Sequence, residues 1–151
     1  MAGTYQQLPV HYIFSTKHRY RQILPEHEKR LWAYIIGIGD NKEITVYTVG
    51  GMSDHLHILL SLPTTMTVSN VIKELKGCSS KWMNDTFYTS SREFRWQSGY
   101  GAFCVSKPRL DNVVRYIHNQ KKHHEKITFK EEFLWFLKTH EVEYDERYIW
   151  D

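Results

Sequence analysis

MSDHLHILL, residues 52–60, is the stretch of this 151-residue chain that decides its fold. Apolar residues recur at every second position after Asp54, and alternate side chains of an extended strand point to opposite faces. Leu56 and Ile58 therefore fill a core on one face, while His55 and His57 project together from the other. Two imidazoles on one sheet face form half of a metal site, although two hydrogen-bonded surface histidines produce the same pattern.

Periodicity and turn residues place this strand within a longer series of elements. Strands are predicted at 8–16, 44–49, 52–60 and 101–105, with further extended structure at 94–97. Helices are predicted at 25–41, 68–86, 108–125 and 129–140. The order β-α-β-β-α-β, followed by helices, is the ferredoxin-like plan. We therefore expect an α+β fold in which two helices cover one face of an antiparallel sheet and leave the other face free for a site.

Length and composition fit one domain. Hydrophobic residues make up 41% of the chain and charged residues 25%, which is ordinary for a globular protein. We expect a single domain over 1–151, with a core at about 8–105, a functional helix at about 108–125, and a C-terminal helix and tail at about 129–151. No apolar run approaches the length of a membrane span, and the N-terminus lacks a signal-peptide pattern. A cytoplasmic protein with no membrane association is therefore expected.

The helix predicted at 108–125 carries a row of polar side chains that could complete a site with the histidine pair. Tyr116 and Gln120 are four residues apart, so they are neighbours on one helix face. Together with His55 and His57, an amide oxygen makes a three-ligand site with open positions, suited to Mg²⁺ or Mn²⁺ holding a phosphate oxygen. A tyrosine half-buried at the edge of an apolar stripe is the alternative. His118 and His124 fit an ordinary helix surface.

In this context the sequence resembles the single-tyrosine transposases of the His-hydrophobic-His (HUH) nuclease superfamily. These proteins belong to small bacterial insertion sequences that move as single-stranded DNA, and to their REP-associated relatives. The resemblance covers nearly the whole chain. It rests on FSTK at 14–17, GGMSDHLH at 50–57, LKGCSSKW at 75–82, WQSGYGAF at 96–103, YIHNQ at 116–120 and EYDERY at 143–148.

The resemblance implies a reaction, a cofactor and partners. His55 and His57 would bind a divalent metal, Mg²⁺ or Mn²⁺, with Gln120 as the third ligand. Tyr116 would be the nucleophile, carried on the C-terminal helices. It would cleave single-stranded DNA at insertion-sequence ends through a 5′-phosphotyrosine intermediate and rejoin the strands. The implied partners are a DNA hairpin at the element ends and a second copy of the chain, in a homodimer with active sites shared between subunits.

Basic residues cluster where DNA would lie, and the net charge of +3 permits nucleic-acid binding without establishing it. The candidate DNA contacts are Lys17, Arg19, Arg21, Lys73, Lys76, Lys81, Lys107, Arg109 and Arg115. Two other functions remain open. A domesticated relative would bind DNA hairpins without transposition activity. A ferredoxin-like RNA-binding domain would present aromatic residues where this chain has its histidine pair.

Overall fold

The computed structural model describes residues 3–151, so residues 1 and 2 of the predicted domain lie outside the described part. Four strands form one sheet, and five α-helices accompany it. The strands are β1 (Pro9–Ser15), β2 (Val46–Gly51), β3 (His55–Ser61) and β4 (Gly101–Cys104). The helices are α1 (Glu28–Asn41), α2 (Val68–Phe87), α3 (Leu110–His118), α4 (Gln120–His123) and α5 (Phe129–Thr139).

The sheet has the strand order β2-β3-β1-β4, and all of its pairings are antiparallel. The α+β class and the β-α-β-β-α-β series predicted from the sequence are thereby confirmed. Boundaries differ by a few residues, and the predicted extended segment at 94–97 contributes only a single bridge between Trp96 and Thr16. Within residues 3–151, no helix is both long and apolar enough to cross a membrane.

The main core lies between the sheet and the helices α1 and α2. Tyr12 and Phe14 of β1 and Leu56 and Ile58 of β3 have at most 1% of their surface exposed, and they pack against residues of both helices. This is the face that the alternation in β3 assigns to apolar side chains. Burial of side chains of this size contributes about 2 kcal/mol each to folding, so this layer anchors the strand that carries the histidine pair.

The second face of the sheet is covered, whereas the sequence led us to expect an open face. Ile13 of β1 packs among the phenylalanines of α5, and Leu59 of β3 packs against Leu110 and Ile117 of α3. The reason is that α3 and α5 each carry an apolar stripe of their own, which must be buried against something. Any site on this face is therefore an enclosed site between the sheet and the C-terminal helices.

The helix predicted at 108–125 is divided into shorter pieces. A 3-10 turn at Lys107–Arg109 leads into α3, and Asn119 leaves helical geometry at φ −95° and ψ 18° before α4 begins. Asparagine competes with helix formation through its own side chain, which favours a boundary at this residue. Tyr116 is consequently in the last turn of α3, and Gln120 is the first residue of α4.

Gly50 allows α3 to approach β2 closely, which makes this position a test of the packing. A Cβ atom on Gly50 would lie 2.7 Å from the carbonyl oxygen of Ile117 and 2.8 Å from its Cγ2 atom. We predict that Gly50→Ala lowers the free energy of unfolding in urea by about 1–3 kcal/mol, because the helix must move away.

Gly37→Ala in α1 is the matched control, since a Cβ atom there meets nothing within 4 Å. That substitution should raise the free energy of unfolding by about 0.5–1 kcal/mol, because alanine loses less backbone entropy in a helix. Equal effects of the two substitutions would contradict the close approach of α3 to β2.

Candidate active site

The two histidines of β3 lie side by side beneath the C-terminal helices. His55 and His57 are fully buried, and their ring centroids are 5.3 Å apart. β3 is hydrogen-bonded to β1 on one side and to β2 on the other. The backbone that carries both rings is therefore held on both sides, and the pair is rigidly placed.

Each of these imidazoles is oriented by a contact at its Nδ1 atom. In His55 this atom lies 2.7 Å from Oδ1 of Asp54, and in His57 it lies 2.8 Å from Nε2 of His11. A carboxylate only accepts hydrogen bonds, so His55 donates from Nδ1 and directs Nε2 into the site. Outer partners of this kind fix the tautomer and the ring orientation of metal-binding histidines.

Gln120 and Tyr116 lie beside the pair, as the sequence led us to expect. Oε1 of Gln120 is 3.0 Å from Nε2 of His55. The Tyr116 ring packs edge-on against His57, with 5.8 Å between the ring centroids. The structure therefore brings together all four residues that the sequence singled out for chemistry.

Glu132 of α5 is the centre of this cluster, and the sequence analysis did not predict it. Its side chain is completely buried. Oε1 lies 2.9 Å from Nε2 of His57 and 3.2 Å from Nε2 of His124. Oε2 accepts hydrogen bonds from Nε2 of Gln120, at 3.1 Å, and from the Tyr116 hydroxyl. The sequence does contain an indication of this role, because Glu132 is a carboxylate within the apolar stripe of α5.

The expectation that His124 lies on an ordinary helix surface is wrong. Its side chain is only 6% exposed, and its Nε2 atom is 2.9 Å from Oε1 of Gln120. Its Nδ1 atom lies 2.8 Å from the carbonyl oxygen of Ile127. His124 follows Gln120 by four residues, so it shares the helix face of Tyr116 and Gln120, and its ring lies over the site. His118 instead contacts Thr48 at 2.9 Å, on the side of α3 that faces β2.

The charges in the cluster favour an ionised carboxylate among imidazoles. Burial alone would raise the pKa of the Glu132 carboxyl, but the neighbouring His57, His124 and His55 outweigh burial and hold the pKa well below its usual range. Burial lowers the pKa of His57. Burial and the nearby Glu132 raise the pKa of the Tyr116 hydroxyl far above its usual value, so the phenol keeps its proton until an acceptor removes it.

The donor set fits a divalent metal ion. His55, His57, His124 and Glu132 each offer one ligand atom, and these atoms all lie within 4.8 Å of one another. Imidazole nitrogens and a carboxylate oxygen are common ligands of divalent ions. Their convergence from β3, the loop after α4, and α5 makes this the strongest candidate metal site among residues 3–151.

A comparison with models of protein families assigns the chain to one family. Residues 4–120 match the family model described as IS200-like transposase. The chain belongs to this family. The match ends at Gln120, so it includes both histidines of β3 and Tyr116, and it stops before His124 and Glu132. The resemblance seen in the sequence is thereby confirmed.

Curated relatives agree with this assignment. The chain is 27% identical over 122 residues to the ISDra2 transposase TnpA of Deinococcus radiodurans, covering 78% of this chain and 87% of the relative. It is 26% identical over 124 residues to the transposase for insertion sequence element IS200 of Salmonella typhimurium, covering 80% of this chain and 81% of the relative. Sequence similarity thus extends over most of both proteins.

Solved structures share the fold. A Deinococcus radiodurans protein described as a transposase superposes with a TM-score of 0.64 at 24% identity, over 80% of this chain and 95% of the other. A REP-associated tyrosine transposase bound to a REP hairpin superposes with a TM-score of 0.60 at 15% identity, over 84% of this chain and 74% of the other. At these identities the likeness concerns the fold.

In this IS200-like transposase, several of the basic residues named above line a polar groove. The groove has a volume of about 640 Å³ and lies between α2 and the segment 93–100. Lys17, Lys73 and Lys76 are among its lining residues. The other candidate DNA contacts are not among the residues that line this groove. Lys81 forms an ion pair with Asp85, and Arg109 lines a second cavity beside Tyr116.

Lys76 differs from the other groove residues because its ammonium group is engaged within the protein. Nζ donates to the carbonyl oxygens of Gln97 at 2.9 Å and Gly99 at 2.7 Å, and it lies 5.0 Å from the centroid of the Phe14 ring. Burial lowers the pKa of this amine to about 8. Lys76 therefore holds the segment before β4 against α2.

Replacing Lys76 by methionine tests this structural role. We predict that Lys76→Met lowers the free energy of unfolding by about 1–3 kcal/mol, because hydrogen bonds to a charged donor are lost. Lys73→Met is the control, since Lys73 is exposed on the same groove; it should change the free energy of unfolding by less than about 0.5 kcal/mol. If Lys76→Met weakened DNA binding at unchanged stability, Lys76 would instead be a DNA contact.

Proposed function

We propose that this chain cleaves and rejoins single-stranded DNA at insertion-sequence ends, with Tyr116 as the nucleophile. The observation that carries this proposal is the position of the Tyr116 hydroxyl. It lies in a buried cluster with His57, Gln120 and Glu132, in a chain of the IS200-like transposase family. A partly buried tyrosine among ionisable groups is a candidate for covalent catalysis.

The proposed reaction is a transesterification at phosphorus. The Tyr116 oxygen forms a bond to the scissile phosphorus, and the bond from phosphorus to the 3′ oxygen breaks. A 5′-phosphotyrosine link results, and the departing 3′ oxygen takes a proton. The phosphodiester energy is retained in the new bond, so the reverse attack by a 3′ hydroxyl rejoins DNA without a nucleotide cofactor.

In this proposal, the residues around Tyr116 accept its hydroxyl proton and pass it to solvent. Glu132 accepts the hydrogen bond from the phenol and fixes its direction. Nε2 of His123 lies 3.1 Å from the same hydroxyl, and its side chain is 31% exposed. We propose that the proton leaves Tyr116 through these two groups, with His123 as the path to solvent.

We propose that the site binds a divalent metal ion, Mg²⁺ or Mn²⁺. Nε2 of His55, Nε2 of His57 and Oε1 of Gln120 would hold it, since all three atoms face the interior of the cluster. When bound, such an ion polarises the phosphoryl group and neutralises charge that develops on it. Asp54 and His11 would keep the two imidazoles in the orientation needed for binding.

The proposed substrate is single-stranded DNA with a hairpin at the element ends. The groove lined by Lys17 and Lys73 supports this, because it presents positive charge suited to phosphate contacts. The REP-hairpin complex of the structural relative supports a hairpin ligand by analogy. The homodimer and the cytoplasmic location expected from the sequence remain predictions.

The first experiment looks for the covalent intermediate. The protein is incubated with single-stranded DNA carrying its own element ends and Mg²⁺ or Mn²⁺, and a denaturant-stable protein–DNA adduct is expected on a gel. Tyr116→Phe should abolish the adduct. Tyr148→Phe, at a tyrosine that is 63% exposed, should leave it unchanged.

If Tyr116→Phe still forms the adduct, the nucleophile is wrongly assigned. If the wild-type chain binds the hairpin but forms no adduct with either metal, the chain is a hairpin-binding protein without transposition activity.

The second experiment asks which chain supplies the tyrosine. The sequence resemblance implies sites shared between subunits, but Tyr116 contacts Glu132 and His57 of its own chain. In place of shared sites, we propose that one chain completes its own site. Chains with His55→Ala and with Tyr116→Phe, mixed in equal amounts, should give no more adduct than either chain alone. A mixture of wild-type and Tyr116→Phe chains, as the control, should retain activity. Recovered cleavage in the first mixture would demonstrate sites shared between subunits.

A further inference from the structure

Glu132 is a buried charge without a permanent cation beside it. Its side chain is completely buried, and within residues 3–151 its ion-pair partners are all imidazoles. No lysine or arginine of the described chain lies within 4 Å of its carboxylate. Buried charges in proteins are normally paired or bound to metal. The Glu132 carboxylate therefore needs a neighbouring positive charge. The imidazoles provide one only when they are protonated.

The hydrogen bonds at the edge of the cluster give a second, independent indication. The Nδ1 atoms of His55 and His124 face a carboxylate and a carbonyl oxygen, so both must donate from Nδ1. In the neutral rings Nε2 then carries only a lone pair. Yet the Nε2 atoms of both rings lie within 3.0 Å of Oε1 of Gln120, which is also an acceptor. Acceptors this close require a proton or a metal ion among them.

The separations between the Glu132 carboxylate oxygen and the imidazole nitrogens match those of ligands that share one ion. Oε1 of Glu132 lies 2.9 Å from Nε2 of His57, 3.2 Å from Nε2 of His124 and 3.5 Å from Nε2 of His55. Neighbouring ligands bound at about 2.1 Å lie roughly 3–3.5 Å from each other. Oε1 of Glu132 is thus close enough to the three imidazole nitrogens to bind the same ion as they do.

We propose that His124 and Glu132 are metal ligands together with His55 and His57. These four ligands, with Gln120 of the proposed function as a fifth, favour a transition-metal ion over Mg²⁺. Three imidazoles and one carboxylate suit transition ions such as Mn²⁺ or Co²⁺, whereas Mg²⁺ prefers oxygen ligands and retains its water. Both added ligands lie beyond residue 120, where the match to the family model ends. The inference rests on the proposed function, because it extends the metal site of that proposal.

Cobalt binding provides a test that does not depend on DNA cleavage. The metal-free full-length chain is titrated with Co²⁺, and both the dissociation constant and the visible absorption spectrum are recorded. We expect Glu132→Gln to weaken binding at least about tenfold and to change the spectrum, because a ligand oxygen is lost. His124→Gln should do the same. A tenfold excess of Mg²⁺ over Co²⁺ should not displace the bound Co²⁺.

Glu131→Gln is the matched control. Glu131 is the neighbouring, exposed residue of α5, where it forms a capping box with Thr128 that glutamine also supports. This variant should bind Co²⁺ as the wild type does. Circular dichroism of each variant checks folding, and His124→Gln provides the answer if Glu132→Gln does not fold.

Three outcomes would overturn the proposal, and only the second of them also overturns the metal site of the proposed function. If His55→Ala abolishes Co²⁺ binding while Glu132→Gln and His124→Gln keep the wild-type affinity and spectrum, the added ligands are wrong but the metal site stands. If His55→Ala also binds normally, the metal site itself is wrong. Displacement of Co²⁺ by the tenfold excess of Mg²⁺ would refute the preference for transition ions.

Discussion

The pairing of β3 with strands on both sides is the constraint on which the site depends. The pleat of the strand commits Leu56 and Ile58 to the core under α1 and α2, and it commits His55 and His57 to the opposite face. A shift of one residue in register would exchange the two sets, burying imidazoles in an apolar layer. Core packing therefore enforces the placement of the two imidazoles.

The C-terminal helices then convert a sheet face into an enclosed polar site. Ile117 brings α3 against β2, and the phenylalanines of α5 close the other side. Between these apolar contacts Glu132 joins three elements, since its carboxylate contacts β3, α3 and α4 at once. Buried polar networks of this kind are stabilising only when each member has a partner. The helices therefore pack in the one arrangement that satisfies the carboxylate.

Local patterns account for the parts that were predicted correctly. Alternation identified β3 and the orientation of its histidines, and a spacing of four related Tyr116 to Gln120. Long-range contacts account for the rest. Glu132 enters the site because the chain reverses after α4, which no periodicity encodes. His124 follows Gln120 by four residues, so the spacing that related Tyr116 to Gln120 also indicates its position. The ammonium of Lys76 looks like any groove lysine in the sequence, and only the fold brings three carbonyl oxygens to it.

The irregular residue Asn119 places the proposed nucleophile and the proposed amide ligand on separate helices. Tyr116 lies in the last turn of α3, and Gln120 is the first residue of α4. In the proposed reaction, a DNA end held by the tyrosine would pull on α3, whereas the amide belongs to α4 beside the imidazoles. Because the helix is interrupted at Asn119, such a pull would not be carried along one continuous helix from the tyrosine to the amide.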